Sequence, residues 1–326
     1  MRVGWLLVGD ERVASSRIQA LTIHTELARR GIRSDILSMP RSFDTRLHWK
    51  APRRWLEAIW RRRDVLIFQK VESSRAARLA RLSRRMGTRI VFLQADARES
   101  PMYALADVVV VSSAELARLL VPLCEARIVV IEDAIDLPRD VQAVPSARTQ
   151  GLRVLWIGGR LNFPALDTLA PVLERPEFAD LELITVSDHP EAKVAWSPAA
   201  AVREILAADL SLIPCLSSSA ARAKSNNRLT VLMGAGLPVI ATPIPAYRAI
   251  VEPGVTGCLA EGTEEWASSL RALRDPALRR RMGEAARTAA WERYAPNVVA
   301  DRWEALLQEI VDRRESSARG ARHVTG

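Results

Sequence analysis

Cysteine and histidine are scarce in this chain, and the few present are scattered. Cys124, Cys215 and Cys258 lie far apart and are odd in number, which reads against a disulfide framework and suits a reducing compartment. His24, His48, His189 and His323 show none of the spacings that zinc sites use, so no metal ligand set is expected; His24 falls in the middle of a helical stretch and reads as structural. No apolar run approaches the ~20 residues needed to span a bilayer. The opening Met1–Asp10 reads as a first strand rather than as the core of a secretory leader. A glycine fingerprint is missing too: the turn Gly9–Arg17 lacks the G-x-G-x-x-G that lets a backbone close on a dinucleotide, which disfavours a nicotinamide-binding role.

What remains is an ordinary globular composition, 48% hydrophobic and 26% charged over 326 residues. That length suits two domains of about 150 residues with real cores. The net charge of +9 is uneven: residues 41–90 hold 15 basic and 4 acidic side chains, whereas residues 151–326 hold 21 of each. The positive charge is therefore a local surface.

Short β-branched runs alternate with amphipathic stretches. Val3–Val8, Asp35–Met39, Val65–Gln69, Arg89–Leu93, Val108–Val111 and Arg127–Ile131 read as strands, with helices at Ile18–Arg30, Ser73–Arg85 and Ala114–Leu120. The rhythm restarts with strands at Leu152–Ile157, Leu181–Val186, Leu210–Pro214, Pro238–Ala241 and Thr256–Ala260. Helices fall between them at Ala165–Leu173, Ala199–Ala207 and Arg228–Ala235. This predicts an α/β chain of two doubly wound, Rossmann-like halves with parallel sheets. The expected divisions are 1–140, a linker at 141–151, and 152–295. A last helix in 296–315 has Val299, Trp303, Leu306, Leu307 and Ile310 on one face, so it must dock on something. Residues 316–326 are expected to be a flexible tail.

The most informative local sequence is Lys224-Ser-Asn-Asn-Arg228, which runs into an apolar helix closed by Gly236 and followed by the buried run Leu-Pro-Val-Ile-Ala-Thr. A helix start offers unpaired N–H groups and the positive end of a dipole, and Lys224 and Arg228 add full charges of the same sign. Asn226 or Asn227 is a good N-cap. A diphosphate site and a plain capped helix with two solvated cations both fit this segment alone.

Neighbouring motifs bear on that choice. Arg153-Val-Leu-Trp-Ile-Gly-Gly-Arg160, Ala208-Asp-Leu-Ser-Leu-Ile-Pro214, Met233-Gly-Ala-Gly-Leu-Pro-Val-Ile-Ala241 and Glu252-Pro-Gly-Val-Thr-Gly257 occur in that order. Near the start stand Ser15-Ser-Arg-Ile-Gln-Ala-Leu21 and Glu26-Leu-Ala-Arg-Arg-Gly31. The ordered set resembles the GT-B glycosyltransferases, in particular glycosyltransferase family 4 (group 1). The resemblance implies a GT-B architecture, two Rossmann-like domains facing a cleft with the C-terminal helix docking back. It also implies transfer of a sugar from a nucleoside-diphosphate donor, without a metal or other cofactor and with retention of configuration.

On that resemblance Gly158, Gly159, Arg160, Asn162, Lys224, Ser225, Asn226, Asn227 and Arg228 would hold the donor, with Arg160 and Arg228 on the leaving diphosphate. An exposed turn arginine is the plainer reading of Arg160. The family's E-x7-E carboxylates fall at Ala223 and Val231, and the acidic residue of its later triplet at Ala249, so donor identity does not carry over. A specialised enzyme, a nucleoside-diphosphate-sugar epimerase on the same fold, and a degenerate relative acting as a binding partner remain open.

The first half would hold the acceptor. Asp10, Arg17, Lys70 and Glu72 lie at or past strand ends, where doubly wound sheets bind ligands. Asp96 is the candidate general base if the reaction inverts, and an orienting group if it retains. Residues 49–63 place Trp55 and Trp60 on one helical stripe beside Arg61, Arg62 and Arg63. They read either as a core-packed helix or as an anchor on an anionic membrane surface. The expected location is cytoplasmic, peripheral on the inner face of the membrane. Nucleic-acid binding is not expected, because the basic segment carries no recognition motif.

Overall fold

The computed structural model describes residues 1–47 and 63–323 and divides into two compact units, Met1–Ala134 with Pro296–Gly326, and Ile135–Ala295. Each unit is built on a six-stranded parallel sheet. The first takes β1 (Arg2–Leu6), β2 (Arg33–Ser38), β3 (Val65–Gln69), β4 (Arg89–Leu93), β5 (Val108–Val111) and β6 (Arg127–Val130), in the order β2-β1-β3-β4-β5-β6. The second takes β7 (Arg153–Ile157), β8 (Glu182–Ser187), β9 (Val194–Ala195), β10 (Leu210–Ile213), β11 (Val239–Ala241) and β12 (Cys258–Leu259), in the order β12-β11-β10-β7-β8-β9.

The central strands are buried along their whole length, as parallel strands covered on both faces must be. Alternation then sorts the second unit's core into two layers. Leu155, Ile213, Val239 and Ala241 pack with Leu229, Leu232, Met233, Tyr247 and Tyr294, while Val154, Leu212 and Ile240 face Phe178, Trp266, Leu270 and Met282.

In the first unit, one face of the sheet is completed by the end of the chain. Val299, Trp303, Leu306, Leu307 and Ile310 of the helix Pro296–His323 join Val3, Trp5, Leu7, Ile67 and Val91 in one cluster. The Trp5 and Trp303 rings stand 5.8 Å apart. Five large side chains buried at about 2 kcal/mol each make this helix a principal support of a sheet formed from the chain's other end. Arg30 fastens its start, donating to Asp301 at 2.6 Å and Glu304 at 2.8 Å, and Arg127 pairs with Glu309 at 2.6 Å. The helix runs past Ser316, where the sequence reading placed a flexible tail; arginine and alanine, good helix formers, carry it on.

Three other elements depart from expectation. Residues 141–151 are no free linker but lie inside the second unit. Arg279, fully buried on the helix Pro276–Tyr294, donates to the carbonyls of Ser146 at 2.8 Å and Arg148 at 2.6 Å. Arg287 on the same helix holds the Val141 carbonyl at 3.0 Å. The helix expected at Ala165–Leu173 is a 3-10 stretch, Arg160–Leu169, followed by the single α-turn Ala170–Leu173; Pro164 inside it has no N–H to give. The helix expected at Ile18–Arg30 contains a π-turn at Arg17–Leu21 before the α-helix Thr22–Arg29.

Among the described residues no helix is long and apolar enough to cross a membrane. Trp55, Trp60, Arg61 and Arg62 lie outside the described residues. Arg63 is described, and it corrects the membrane assignment at that position: its side chain is buried and ion-paired with Asp35, so it is not available to a lipid surface.

Candidate functional site

In the second unit the strand order reverses between β7 and β10. From β7 the chain goes on to β8 on one side, and from β10 to β11 on the other. The helices leaving these two strands cover opposite faces, which opens a crevice beyond their carboxyl ends. Gly158 stands at the end of β7 and Cys215 just past β10, so both border that crevice.

Arg228 spans it. One terminal nitrogen, Nη2, lies 3.7 Å from Cys215 Sγ. The other, Nη1, would stand 3.2 Å from a Cβ on Gly158. The same Cβ would come within 2.9 Å of the Trp156 ring, so only glycine lets the guanidinium approach this turn. Nη1 itself is buried and has no hydrogen-bond partner. Two amide atoms share that condition, Asn227 Nδ2 and Asn162 Oδ1. Buried polar groups left unpaired cost about 1–3 kcal/mol each, so three of them among residues expected to bind one ligand point to a missing partner.

Arg228 is placed by the helix Asn227–Gly234, which it nearly begins. That helix ends as expected: Gly236, at φ +79°, takes the left-handed position, and the Gly236 and Leu237 amides return to the Met233 and Leu232 carbonyls. Its start differs. The residue at the cap position, Asn226, is buried and in helical geometry, and its side chain makes no capping bond. Ser225 Oγ instead accepts from the Asn227 amide at 3.4 Å. The expected asparagine cap is absent, leaving first-turn N–H groups without that side-chain acceptor.

Electrostatically the site is one-signed. Burial, and then the nearby Arg228 guanidinium, hold the Lys224 ammonium below its ordinary value. Tyr247, wholly buried beside Arg228 and Cys215, has its phenol pushed up to about 12 by burial, with Arg228 pulling the other way. Among the described residues none of Arg160, Lys224 and Arg228 forms an ion pair. Where the resembling family carries its first carboxylate, Ala223 is buried; Val231 packs on the core, and Ala249 is an exposed methyl. Among the described residues no carboxylate pairs with Lys224 or Arg228.

Gly159 and Arg160 are set by a different contact: the Arg160 amide donates to Asp188 Oδ1 at 2.6 Å, and the Arg160 side chain is exposed. Beside them Phe163 stacks on His189 with ring centroids 4.1 Å apart and meets Trp156 edge-on at 5.5 Å. Asp188, His189, Phe163, Cys215 and Tyr247 were not singled out from sequence. Asp188 and Cys215 carried a readable signal, since Asp188 directly follows β8 and Cys215 comes two residues after the end of β10; Tyr247 carried none.

The first unit reverses its order between β1 and β3. Gln69, fully buried at the end of β3, accepts from the Val8 amide and from Ser16 Oγ, each at 3.2 Å, and ties the two strand ends together. Lys70 follows with φ +58°, a left-handed backbone that a side chain adopts at a cost of about 1–2 kcal/mol and keeps where the surroundings impose it. Its Nζ pairs with Asp96 at 2.7 Å and lies 5.3 Å from the centre of the Phe43 ring. Glu72 pairs with Arg98 at 2.5 Å. Asp10 is held by Arg12, whose hydrogen bonds keep its carboxyl below the usual range. Arg17 turns back to the Glu11 carbonyl at 2.8 Å. Of the residues expected on the acceptor side, Lys70 and Asp96 are thus brought together, while Asp10, Arg17 and Glu72 engage other partners.

Residues 172–307 match the family model described as glycosyl transferase-like. Among solved structures, a glycosyltransferase from Rickettsia africae is 14% identical, with 95% of this chain and 98% of that one covered at a TM-score of 0.69. HepE from Anabaena, solved with UDP and glucose, is 12% identical at a TM-score of 0.66, over 95% of this chain and all of its own, and it has also been solved with UDP-glucose. Sucrose-phosphate synthase from Thermosynechococcus elongatus is 15% identical at a TM-score of 0.66, over 95% and 99%. No curated protein matches the chain in sequence.

Proposed function

We infer, for a chain that carries a glycosyltransferase domain on the GT-B fold, that it moves a sugar from a nucleoside-diphosphate donor held at the Gly158–Arg228 crevice. The observation that carries this reading is the Arg228 guanidinium, set between the ends of β7 and β10 with an unpartnered nitrogen. A departing diphosphate gathers negative charge, and fixed cations already in place stabilise it without reorganising. Lys224, the first turn of the helix Asn227–Gly234, and the Asn162 and Asn227 amides supply further charge and polar groups, and Arg160 stands on the neighbouring turn.

We assign the charge neutralisation to these side chains rather than to a metal. Asp96, engaged by Lys70, suits an orienting group better than a free base, which supports a retaining reaction. An epimerase would need a carboxylate or histidine acid–base set at the reacting carbon; Asp188 is taken up by the Arg160 amide and His189 by stacking on Phe163, and the polar groups around Arg228 are cationic and amide.

Thermal shift with UDP, GDP, ADP and TDP tests the reading, UDP first because HepE at 12% identity binds it. One nucleotide is expected to raise the melting temperature, and Arg228→Ala to weaken its binding by about 2–3 kcal/mol, the value of a charged hydrogen-bonded contact. No shift from any nucleotide would leave the binding-partner reading in its place.

A further inference from the structure

The helix Ser74–Arg85 of the first unit buries Ala76, Ala77, Leu79, Ala80 and Ser83 against the sheet. At 100° per residue the exposed Arg75, Arg78, Arg81, Leu82, Arg85 and Met86 fall within an arc of roughly 140° on the other side. No acidic residue stands in this helix. Among the described residues Arg75, Arg78, Arg81 and Arg85 make neither an ion pair nor a hydrogen bond. Two acidic groups of the same unit are engaged by other arginines: Asp107 by Arg89 at 3.0 Å and Glu72 by Arg98 at 2.5 Å. Arg84, by contrast, turns away to the Leu105 carbonyl at 2.9 Å and is no part of the face.

Between the four cations, Leu82 and Met86 are 46% and 43% exposed. Unpaired cations alone would suit any polyanion. Apolar side chains interleaved with them gain nothing against a phosphate backbone but gain burial at the boundary between lipid headgroups and acyl chains. The buried face is alanine-rich, and the exposed arc carries the long side chains.

We propose that the outer face of Ser74–Arg85 docks the protein on an anionic lipid surface, with Arg75, Arg78, Arg81 and Arg85 on headgroup phosphates and Leu82 and Met86 in the boundary layer. The surface belongs to the first unit and the Gly158–Arg228 crevice to the second, and the proposal does not depend on the donor reading. The full chain is sedimented with phosphatidylcholine vesicles, with and without phosphatidylglycerol, at low and raised salt. Wild type binds only the anionic vesicles and is released by salt. The triple variant Arg78→Gln, Arg81→Gln, Arg85→Gln keeps the wild-type melting temperature and loses about a hundredfold in vesicle affinity, each cation near such a surface contributing roughly fivefold. Leu82→Ser with Met86→Ser loses several-fold on vesicles and nothing on a short DNA duplex.

Undiminished vesicle binding by the triple variant overturns the proposal, and does so most clearly if Trp55→Ser with Trp60→Ser abolishes it instead. DNA binding as tight as vesicle binding and indifferent to Leu82 and Met86 would identify the partner as nucleic acid. Failure of the wild type to bind anionic vesicles rejects the idea outright.

Discussion

The two units solve the same architectural problem and leave their strand ends in opposite electrostatic states. Both are six-stranded parallel sheets with one reversal of strand order. At the reversal in the first unit and beside it, cations are matched: Arg12 with Asp10, Lys70 with Asp96, Arg98 with Glu72. At the reversal in the second, burial and the neighbouring Arg228 disfavour the charge on Lys224, and among the described residues neither cation has an acidic partner. A neutralised site can orient an uncharged group such as a sugar hydroxyl, whereas an unmatched one stores a cost that only an incoming anion relieves. On the proposed function, the difference would separate a site that positions an acceptor from one that receives a dianion.

A second contrast concerns how each unit is closed. The second is continuous in sequence, while the first needs residues 296–310 to return and cover its sheet. Trp303→Ala should therefore have the largest effect on stability of the changes considered, a loss of about 3–5 kcal/mol measured by urea denaturation. A loss under about 1 kcal/mol would mean that the returning helix is incidental to the first unit.

The charge contrast is sharpened by Lys224→Met. Removing a cation held below its ordinary value should stabilise the ligand-free protein while weakening nucleotide binding, so the two effects have opposite signs. The pH dependence follows from linkage. The unfolded chain keeps its proton up to the ordinary value of 10.5, and the folded chain releases it earlier, so wild-type stability rises with pH between those values. Lys224→Met should lack that rise, and saturating nucleotide should remove it from the wild type. A variant that is less stable at neutral pH would show Lys224 to be a structural support and the contrast to be wrong.

The smallest expected effect tests the first unit's strained turn. At φ +58° Lys70→Gly relaxes the backbone and Lys70→Ala does not, so the glycine variant should be the more stable of the two by about 1 kcal/mol. Both should lose acceptor turnover if Lys70 and Asp96 act as a pair. Equal melting temperatures for the two variants would show that the turn stores no strain.

The sheets and much of the Gly158–Arg228 crevice were legible in the sequence, because their signals are local. Eleven of the strands announce themselves as short β-branched runs, and only Val194–Ala195, two residues long, gives no such signal. Gly158, Gly159, Lys224 and Arg228 could be marked because glycine turns and helix starts have recognisable neighbours. The linker at 141–151 was misread for the opposite reason: its prolines and polar residues look free until Arg279 and Arg287, more than a hundred residues later, are seen on its carbonyls. Arg63 looked like part of a basic surface until the fold put Asp35 beside it.

By itself the sequence determined the α/β class, the parallel duplication, the amphipathic closing helix and the place where cations gather at a helix start. Periodicity, capping and turn chemistry act over a few residues, and a reader of the chain can follow them. Only the tertiary structure decided which charges are cancelled. It set Asp96 against Lys70 and Asp35 against Arg63, and it left Arg228 reaching from Cys215 to Gly158 without an ion pair among the described residues. Pairing depends on through-space distances between strand ends, and those are fixed when the sheets assemble.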